Sequence, residues 1–328
     1  MQYSQAFASE IDPYAMGVAH YNHPAVKQMG SVLDIHKHPM YVHKGIDLLL
    51  AGPPCQPFSF AGNQLNFNDE RAKPTTQFFK LFHQWKPKYF LIEETPMKKE
   101  YMDVFSREFG CEPRIHNSAS VSAQNRKRLY WTNIPHDDLP DLGINLEDIL
   151  EDESMTDREK SYCVDANYFK GGSMKMYFEK SRRQVVFNKH TQCRQVGEAN
   201  LKGYDIIKRV YSRKAKSSSL TTMQGGWRMP KVEDGDLRWR ALTPLECERL
   251  QTMPDGYTKY GDMHDADGLT KPAVDISNSR RYKMIGNGWT VDVIRHILNG
   301  IPKQSLGTVV SLFDGCGCGF QALKGVRR

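Results

Sequence analysis

The sequence predicts an α/β fold built on a parallel sheet, with a smaller loop-rich module attached. Three observations predict it. Short apolar runs alternate with helical stretches through residues 1–135, the pattern of β-strands joined by crossover helices. Helix signals thin out between about 136 and 270. The chain closes on a strand, a glycine-rich turn and a helix, the first unit of a nucleotide-binding sheet.

Taken in order, Tyr3–Ser9 reads as a strand ending at Glu10. Residues 46–52 form an apolar run that ends in Pro53-Pro54-Cys55-Gln56. Residues 76–85 are helical in pattern and precede a strand at 89–92, which ends in Glu93 and Glu94. A further strand at 129–131 follows Gln124-Asn125-Arg126-Lys127-Arg128. Within the loop-rich region, residues 242–250 read as a capped helix, with Thr243 as N-cap, Pro244 at the first position and Glu246 closing a capping box. The strand at 308–313 leads into Asp314-Gly315-Cys316-Gly317-Cys318-Gly319 and a helix from Phe320.

Open α/β sheets keep their chemistry at the carboxyl ends of their strands. A lone cysteine is more often packed in a core than reactive. Cys55 differs because two prolines restrict the backbone before it and present its thiol from a stiff loop at a strand end. Glu93 and the Arg126/Arg128 pair lie at other strand ends, so thiol, carboxyl and guanidinium groups are expected to converge.

At 328 residues the chain has room for a substantial core and two domains. No run approaches the roughly eighteen apolar residues that span a bilayer, and no signal-like segment opens the chain. The seven cysteines form no dense framework, which suits a reducing compartment. No partner pair at finger spacing accompanies Cys316 and Cys318, so no metal is expected.

The net charge of +7 hides an asymmetry. Residues 137–160 hold ten acids against two bases, whereas residues 168–228 hold fourteen bases against three acids. The basic stretch is interleaved with aromatic residues and glycine pairs, a composition that fits a phosphate backbone and base contacts.

In a complete nucleotide-binding unit, an acid that bonds a ribose hydroxyl ends the next strand about twenty residues after the glycine turn. Here thirteen residues separate Gly315 from the chain end, and Glu10 lies ten residues from the start. Joined end to end, the chain reads as a circular permutation.

These pieces resemble the cytosine-5 DNA methyltransferases of bacteria and their phages across essentially the whole length. The resemblance rests on Phe313-Asp314-Gly315-Cys316-Gly317, Glu10, Gly52-Pro53-Pro54-Cys55-Gln56-Pro57-Phe58-Ser59, Glu93, Gln124-Asn125-Arg126-Lys127-Arg128, Leu242-Thr243-Pro244 to Arg249-Leu250-Gln251, and Gly286-Asn287-Gly288. The order is the family's, rotated so that the first motif comes last. The resemblance implies a Rossmann-like, S-adenosylmethionine-dependent methyltransferase sheet, circularly permuted, with catalytic parts at 1–135 and 272–328 around a target-recognition domain at 136–271.

It further implies Cys55 as nucleophile, Glu93 on ring nitrogen 3, and Arg126 and Arg128 on the cytosine oxygen and nearby phosphate. Phe313, Asp314, Gly315, Gly317, Glu10, Pro53, Asn287 and Gly288 would hold S-adenosylmethionine, with Asp34 or Ser31 near the adenine. Gln124, Ser219, Leu220, Arg182, Arg183 and Arg228 are candidate DNA contacts, as are Arg194 and Gln224. The partner implied is duplex DNA, met by a monomer in the cytoplasm of a bacterial or phage-infected cell, with or without a restriction endonuclease. RNA as substrate, a non-catalytic DNA binder and a dinucleotide oxidoreductase are the competing readings, and the last leaves Cys55 and Glu93 without roles.

Two departures from the family pattern stand out: Glu94-Thr95 replaces Asn-Val, and Pro74, Thr75 and Thr76 replace apolar residues beside the cofactor pocket. A second carboxylate at 94 is expected to repel Glu93 or the thiolate and slow the first step. Restoring Asn at 94 and Leu at 74 is expected to raise methyl transfer; unchanged rates in both would remove that idea.

Overall fold

The computed structural model describes residues 1–38, 45–54, 72–172, 174–187, 195–198, 209–211, 231–232, 239–264, 270–302 and 305–326. The first strand, β1 (Tyr3–Ser9), is buried through its last four residues. Helix α1 (Pro13–Asn22) starts where Asp12 Oδ1 accepts from the amides of Tyr14 and Ala15, with proline at the first position. There follow β2 (Lys27–Gln28), β3 (Leu48–Ala51), α2 (Lys73–Trp85), β4 (Tyr89–Glu94), α3 (Lys99–Phe109), β5 (Arg114–Asn117) and β6 (Lys127–Thr132).

The middle of the chain holds α4 (Met174–Lys180), β7 (Val185–Phe187), β8 (Gln195–Glu198), β9 (Arg209–Tyr211), β10 (Lys231–Val232) and β11 (Trp239–Ala241). Then come α5 (Pro244–Leu250), β12 (Tyr260–His264), β13 (Thr270–Asp275), α6 (Asn278–Asn287), α7 (Val291–Leu298), β14 (Leu306–Leu312) and α8 (Cys318–Lys324). Helix α5 has the expected capping box: Glu246 N donates to Thr243 Oγ1 at 3.2 Å and Thr243 N to Glu246 Oε2 at 2.8 Å.

Seven strands make the main sheet, in the order β2-β1-β14-β3-β4-β6-β5. The last strand of the chain enters the middle, parallel to β1 on one side and β3 on the other. The sheet is mostly parallel, as expected, with one exception: β6 runs antiparallel to both β4 and β5. Nine residues, 118–126, join β5 to β6, too few for the crossover that parallel neighbours require.

The sheet is buried on both faces, so its central strands are continuously apolar; all four residues of β3 have no exposure. One face carries Leu48, Leu50, Leu91 and Tyr130 against the helices α7 and α8. The other carries Leu49, Ile92, Leu129 and Trp131 against α2 and α3, where Phe79, Phe82, Phe105 and Phe109 stack edge to face and Phe78 packs tilted against Phe79 and Phe109.

Residues on both sides of the expected 135/136 boundary share the first of these cores: Leu146, Ile149, Val164, Tyr168, Leu242 and Leu250 pack with Leu91 and Ile294. Among the described residues, no helix is long and apolar enough to cross a membrane.

Two buried histidines give a measurable acid sensitivity. Burial, with Lys324 adding to it, lowers His23 from 6.5 to about 3, and burial with His136 and Arg114 lowers His116 to about 4. His23 Nε2 lies 2.9 Å from the Tyr257 hydroxyl and His116 Nε2 lies 3.0 Å from His136 Nε2. Below pH 6.5 the unfolded chain binds protons that the fold still excludes, so stability present above that value is lost as pH falls toward the folded values. Each site is expected to cost about 1–2 kcal/mol between pH 7 and pH 5. Urea midpoints that do not fall over that range would refute this.

Candidate functional site

The strand ends gather the residues in question. At the end of β3, Gly52 leaves no room for a side chain, since a Cβ there would stand 2.8 Å from Trp289 Nε1. This contact sets the exit of the chain toward Pro53 and Pro54. Cys55 lies outside the described residues.

One strand over, β4 ends in Glu93, which is 8% exposed. Register pairs Glu93 with Tyr130 of β6, on the same face as Leu91. Arg128, two residues before Tyr130, projects to that face, and its Nε lies 3.0 Å from Glu93 Oε1. Its Nη1 donates to Lys127 O at 2.7 Å. The carboxylate and guanidinium expected to meet a pyrimidine therefore meet each other, at the carboxyl edge of the sheet.

Glu94, the last residue of β4, points away from Glu93. It shares the opposite face with Ile92 and Leu129 and is 1% exposed. Burial raises its carboxyl well above the ordinary range, with Glu93 adding to the effect. Repulsion between the two neighbouring carboxyls, expected from the sequence, is thus present, but burial is the larger cause of the shift. Its Oε2 accepts from Thr95 N at 2.9 Å, while Oε1 is buried without a partner.

Gln124 and Arg126 also depart from their expected roles. Gln124 has no exposure, and its Nε2 donates to Leu250 O at 2.6 Å and Gln251 Oε1 at 2.9 Å, while Oε1 accepts from Val164 N at 3.3 Å. Its amide is consumed by the fold and does not face a DNA surface. Arg126 is 4% exposed and donates to Val164 O at 3.1 Å and Gly288 O at 2.9 Å, with Gly286 O at 3.4 Å. It ties the approach to β6 to the turn between α6 and α7, so the substrate-facing part expected of the pair is left to Arg128.

The glycine turn stands where the sequence predicts it. Phe313 takes φ +57° and Gly315 φ +59°, and Gly317 takes φ +88° with His23 Cδ2 2.9 Å from where a Cβ would stand. Left-handed backbone at Phe313, a non-glycine residue, is strain of the kind kept at ligand sites. Glu10 at the end of β1 reaches this turn: its Oε2 accepts from Gly315 N at 2.9 Å. Asp314 is buried, its Oδ1 accepts from Ser311 Oγ at 2.6 Å, and its Oδ2 has no partner. Burial pushes the Asp314 carboxyl up to about 7.

Gly288 is buried against Cys318 Sγ beside the same turn, whereas Asn287, the last residue of α6, is exposed. Asp34 is exposed and pairs with Lys37 at 2.7 Å, and Ser31 Oγ accepts from Leu33 N. Arg182 pairs with Asp165 at 2.9 Å and Arg183 donates to Gly171 O at 3.4 Å. Ser219, Leu220, Arg228, Arg194 and Gln224 lie outside the described residues. Sequence reasoning passed over Cys163, whose sulfur stands 3.2 Å from Arg126 Nη1; no local pattern signals a contact 37 residues apart.

A mostly parallel sheet with a glycine turn and acid at one strand end, and a carboxylate–guanidinium pair at another, defines an α/β protein of the methyltransferase type. The chain belongs to the C-5 cytosine-specific DNA methylase family, whose pattern matches residues 1–303. It is 26% identical to the orphan methyltransferase M.SPRI of Bacillus phage SPR over 88% of this chain and 90% of that protein. It is also 26% identical to the type II methyltransferase M.NgoBV of Neisseria gonorrhoeae, over 85% of this chain and 68% of that one. Among solved structures, the S. pombe Dnmt2 methyltransferase aligns over 90% of this chain and 89% of its own, with 14% identity and a TM-score of 0.49.

Proposed function

We propose that this protein transfers a methyl group to carbon 5 of a cytosine in duplex DNA, through a covalent bond between Cys55 and the base. The observation that carries the reading is Glu93 Oε1 3.0 Å from Arg128 Nε, one strand away from β3, after which the sequence places Cys55. Family membership and the relatives' names support DNA over RNA as substrate. Carbon 5 of cytosine is a weak nucleophile. Attack of the Cys55 thiolate on carbon 6 forms a sulfur–carbon bond and pushes electron density to carbon 5.

A protonated Glu93 gives its proton to nitrogen 3 as negative charge builds there, and Arg128 holds the oxygen at carbon 2 while orienting Glu93. Loss of the proton from carbon 5 and of the Cys55 sulfur from carbon 6 then restores the ring. A stacked base hides carbon 6, so the cytosine is flipped out of the duplex. The basic stretch 168–228 neutralises the DNA backbone.

S-adenosylmethionine, when bound, supplies an electrophilic methyl group. The residues present fit it: the partnerless Asp314 Oδ2 awaits a donor, and Glu10, beside Gly315, is placed to accept from a ribose hydroxyl. Phe313, Gly317, Pro53 and Gly288 complete the proposed wall.

The permuted order belongs to the same reading. β14 lies between β1 and β3, and the family match ends at residue 303, before β14 and α8. Both support a chain whose first family motif comes last.

Incubation with S-adenosylmethionine and duplex DNA containing 5-fluorocytosine tests the chemistry, because after methyl transfer the fluorine at carbon 5 cannot leave as a proton does. A covalent adduct is expected, and its absence would sink the reading. Bisulfite sequencing of plasmid from expressing cells then reports the target word. Glu93→Gln is expected to lower methyl transfer about a hundred- to ten-thousandfold, with little loss of DNA affinity; a rate within a few-fold of wild type would exclude Glu93.

A further inference from the structure

Residues 161–164 run along 123–126: Ser161 N donates to Ala123 O at 2.7 Å and Asn125 N to Ser161 O at 2.9 Å. This pairing carries Cys163 into the space beside both arginines, its sulfur 3.2 Å from Arg126 Nη1 and 3.8 Å from Arg128 Nη2. Arg128 donates hydrogen bonds at two points, Nη1 to Lys127 O and Nη2 to the sulfur, while its Nε lies 3.0 Å from Glu93 Oε1 as an ion pair without hydrogen-bond geometry.

We propose that Cys163 is a positioning residue of the methyl-transfer site, its sulfur accepting from both guanidiniums and holding Arg128 in the orientation that faces Glu93. The inference rests on the reading of Glu93 and Arg128 as the groups that meet the cytosine. An arginine side chain has several rotatable bonds, and fixing it costs entropy that well-placed acceptors offset. Without the sulfur, Nη2 loses its acceptor and the guanidinium is free to turn about the one remaining hydrogen bond, from Nη1 to Lys127 O.

Charge supports the same role. Arg126 and Arg128 face the sulfur from the approach to β6, and Glu93 faces Arg128 from β4. Asp165, two residues beyond Cys163, is paired with Arg182, and the turn after α6 offers the carbonyls of Gly286 and Gly288 to Arg126. Burial works to raise the Cys163 thiol, but the two guanidiniums outweigh it and hold the thiol below its usual value. A charged donor strengthens a bond even to a weak acceptor such as a sulfur.

The test compares Cys163→Ala and Cys163→Ser in the full chain with Cys55 intact. The alanine variant is expected to lose about tenfold in kcat, as loss of one bond to a charged group implies. Its KM for duplex DNA stays within about twofold, since the backbone contacts are untouched. Serine keeps an acceptor and recovers most of the rate, with urea midpoints close to wild type in both variants.

Wild-type kcat in the alanine variant overturns the positioning role. Equal losses in both variants, accompanied by a fall in urea midpoint, overturn it too by making Cys163 a packing residue. Failure of the wild type itself to form the 5-fluorocytosine adduct removes the catalytic reading, and this inference with it.

Discussion

Cys55→Ser is expected to reduce methyl transfer by about ten-thousandfold or more and to leave no adduct on 5-fluorocytosine DNA. A thiol near neutral pH holds a few per cent of its population as thiolate, whereas a serine hydroxyl holds essentially none. The substitution removes one polarisable atom and little volume, so DNA affinity should stay within a few-fold. Tritium transfer from a labelled methyl donor to duplex DNA measures the first effect and a filter-binding titration the second. Methylation near the wild-type rate in the serine variant would end the covalent mechanism, and with it the assignment of Glu93 and Arg128.

The second large effect is one of stability. Arg126→Met should destabilise the fold by about 3 kcal/mol, read as a lower urea midpoint at constant slope. At 4% exposure the guanidinium serves the carbonyls of Val164, Gly286 and Gly288. Gly288 O keeps Gln251 Nε2 at 3.2 Å and Val164 O keeps the Cys163 thiol at 3.5 Å, so the cost is mainly the lost hydrogen bonds from a charged group, roughly 1.5–3 kcal/mol each, of which repacking around the methionine recovers part. A normal midpoint combined with lost activity would return Arg126 to the base-contacting role that its motif suggests.

These two experiments separate what was legible from what was not. Thr243, Pro244 and Glu246 announced α5 because capping is a local affair of three residues. The β3 and β4 runs were legible from apolar content, and Glu10 and Gly315 from their spacing across the joined termini. Gln124 and Arg126 were not, because polarity in a motif does not say whether a group turns outward to a ligand or inward to a carbonyl. Their partners, Leu250, Gln251, Gly286 and Gly288, lie 126 to 162 residues away. That burial outweighs repulsion at Glu94 was not legible for a related reason: adjacent strand residues point to opposite faces, and only packing decides which of them loses water.

By itself, then, the sequence determined which segments become strands and helices and which reactive residue types stand at their ends, since periodicity, caps and glycine turns act over a few residues. Only the tertiary structure decided that β14 enters between β1 and β3, that β6 runs against its neighbours, and that Arg128 faces Glu93 while Arg126 braces the turn after α6. Those outcomes depend on which surfaces lose water together and which buried donors find acceptors, and the groups involved are far apart along the chain.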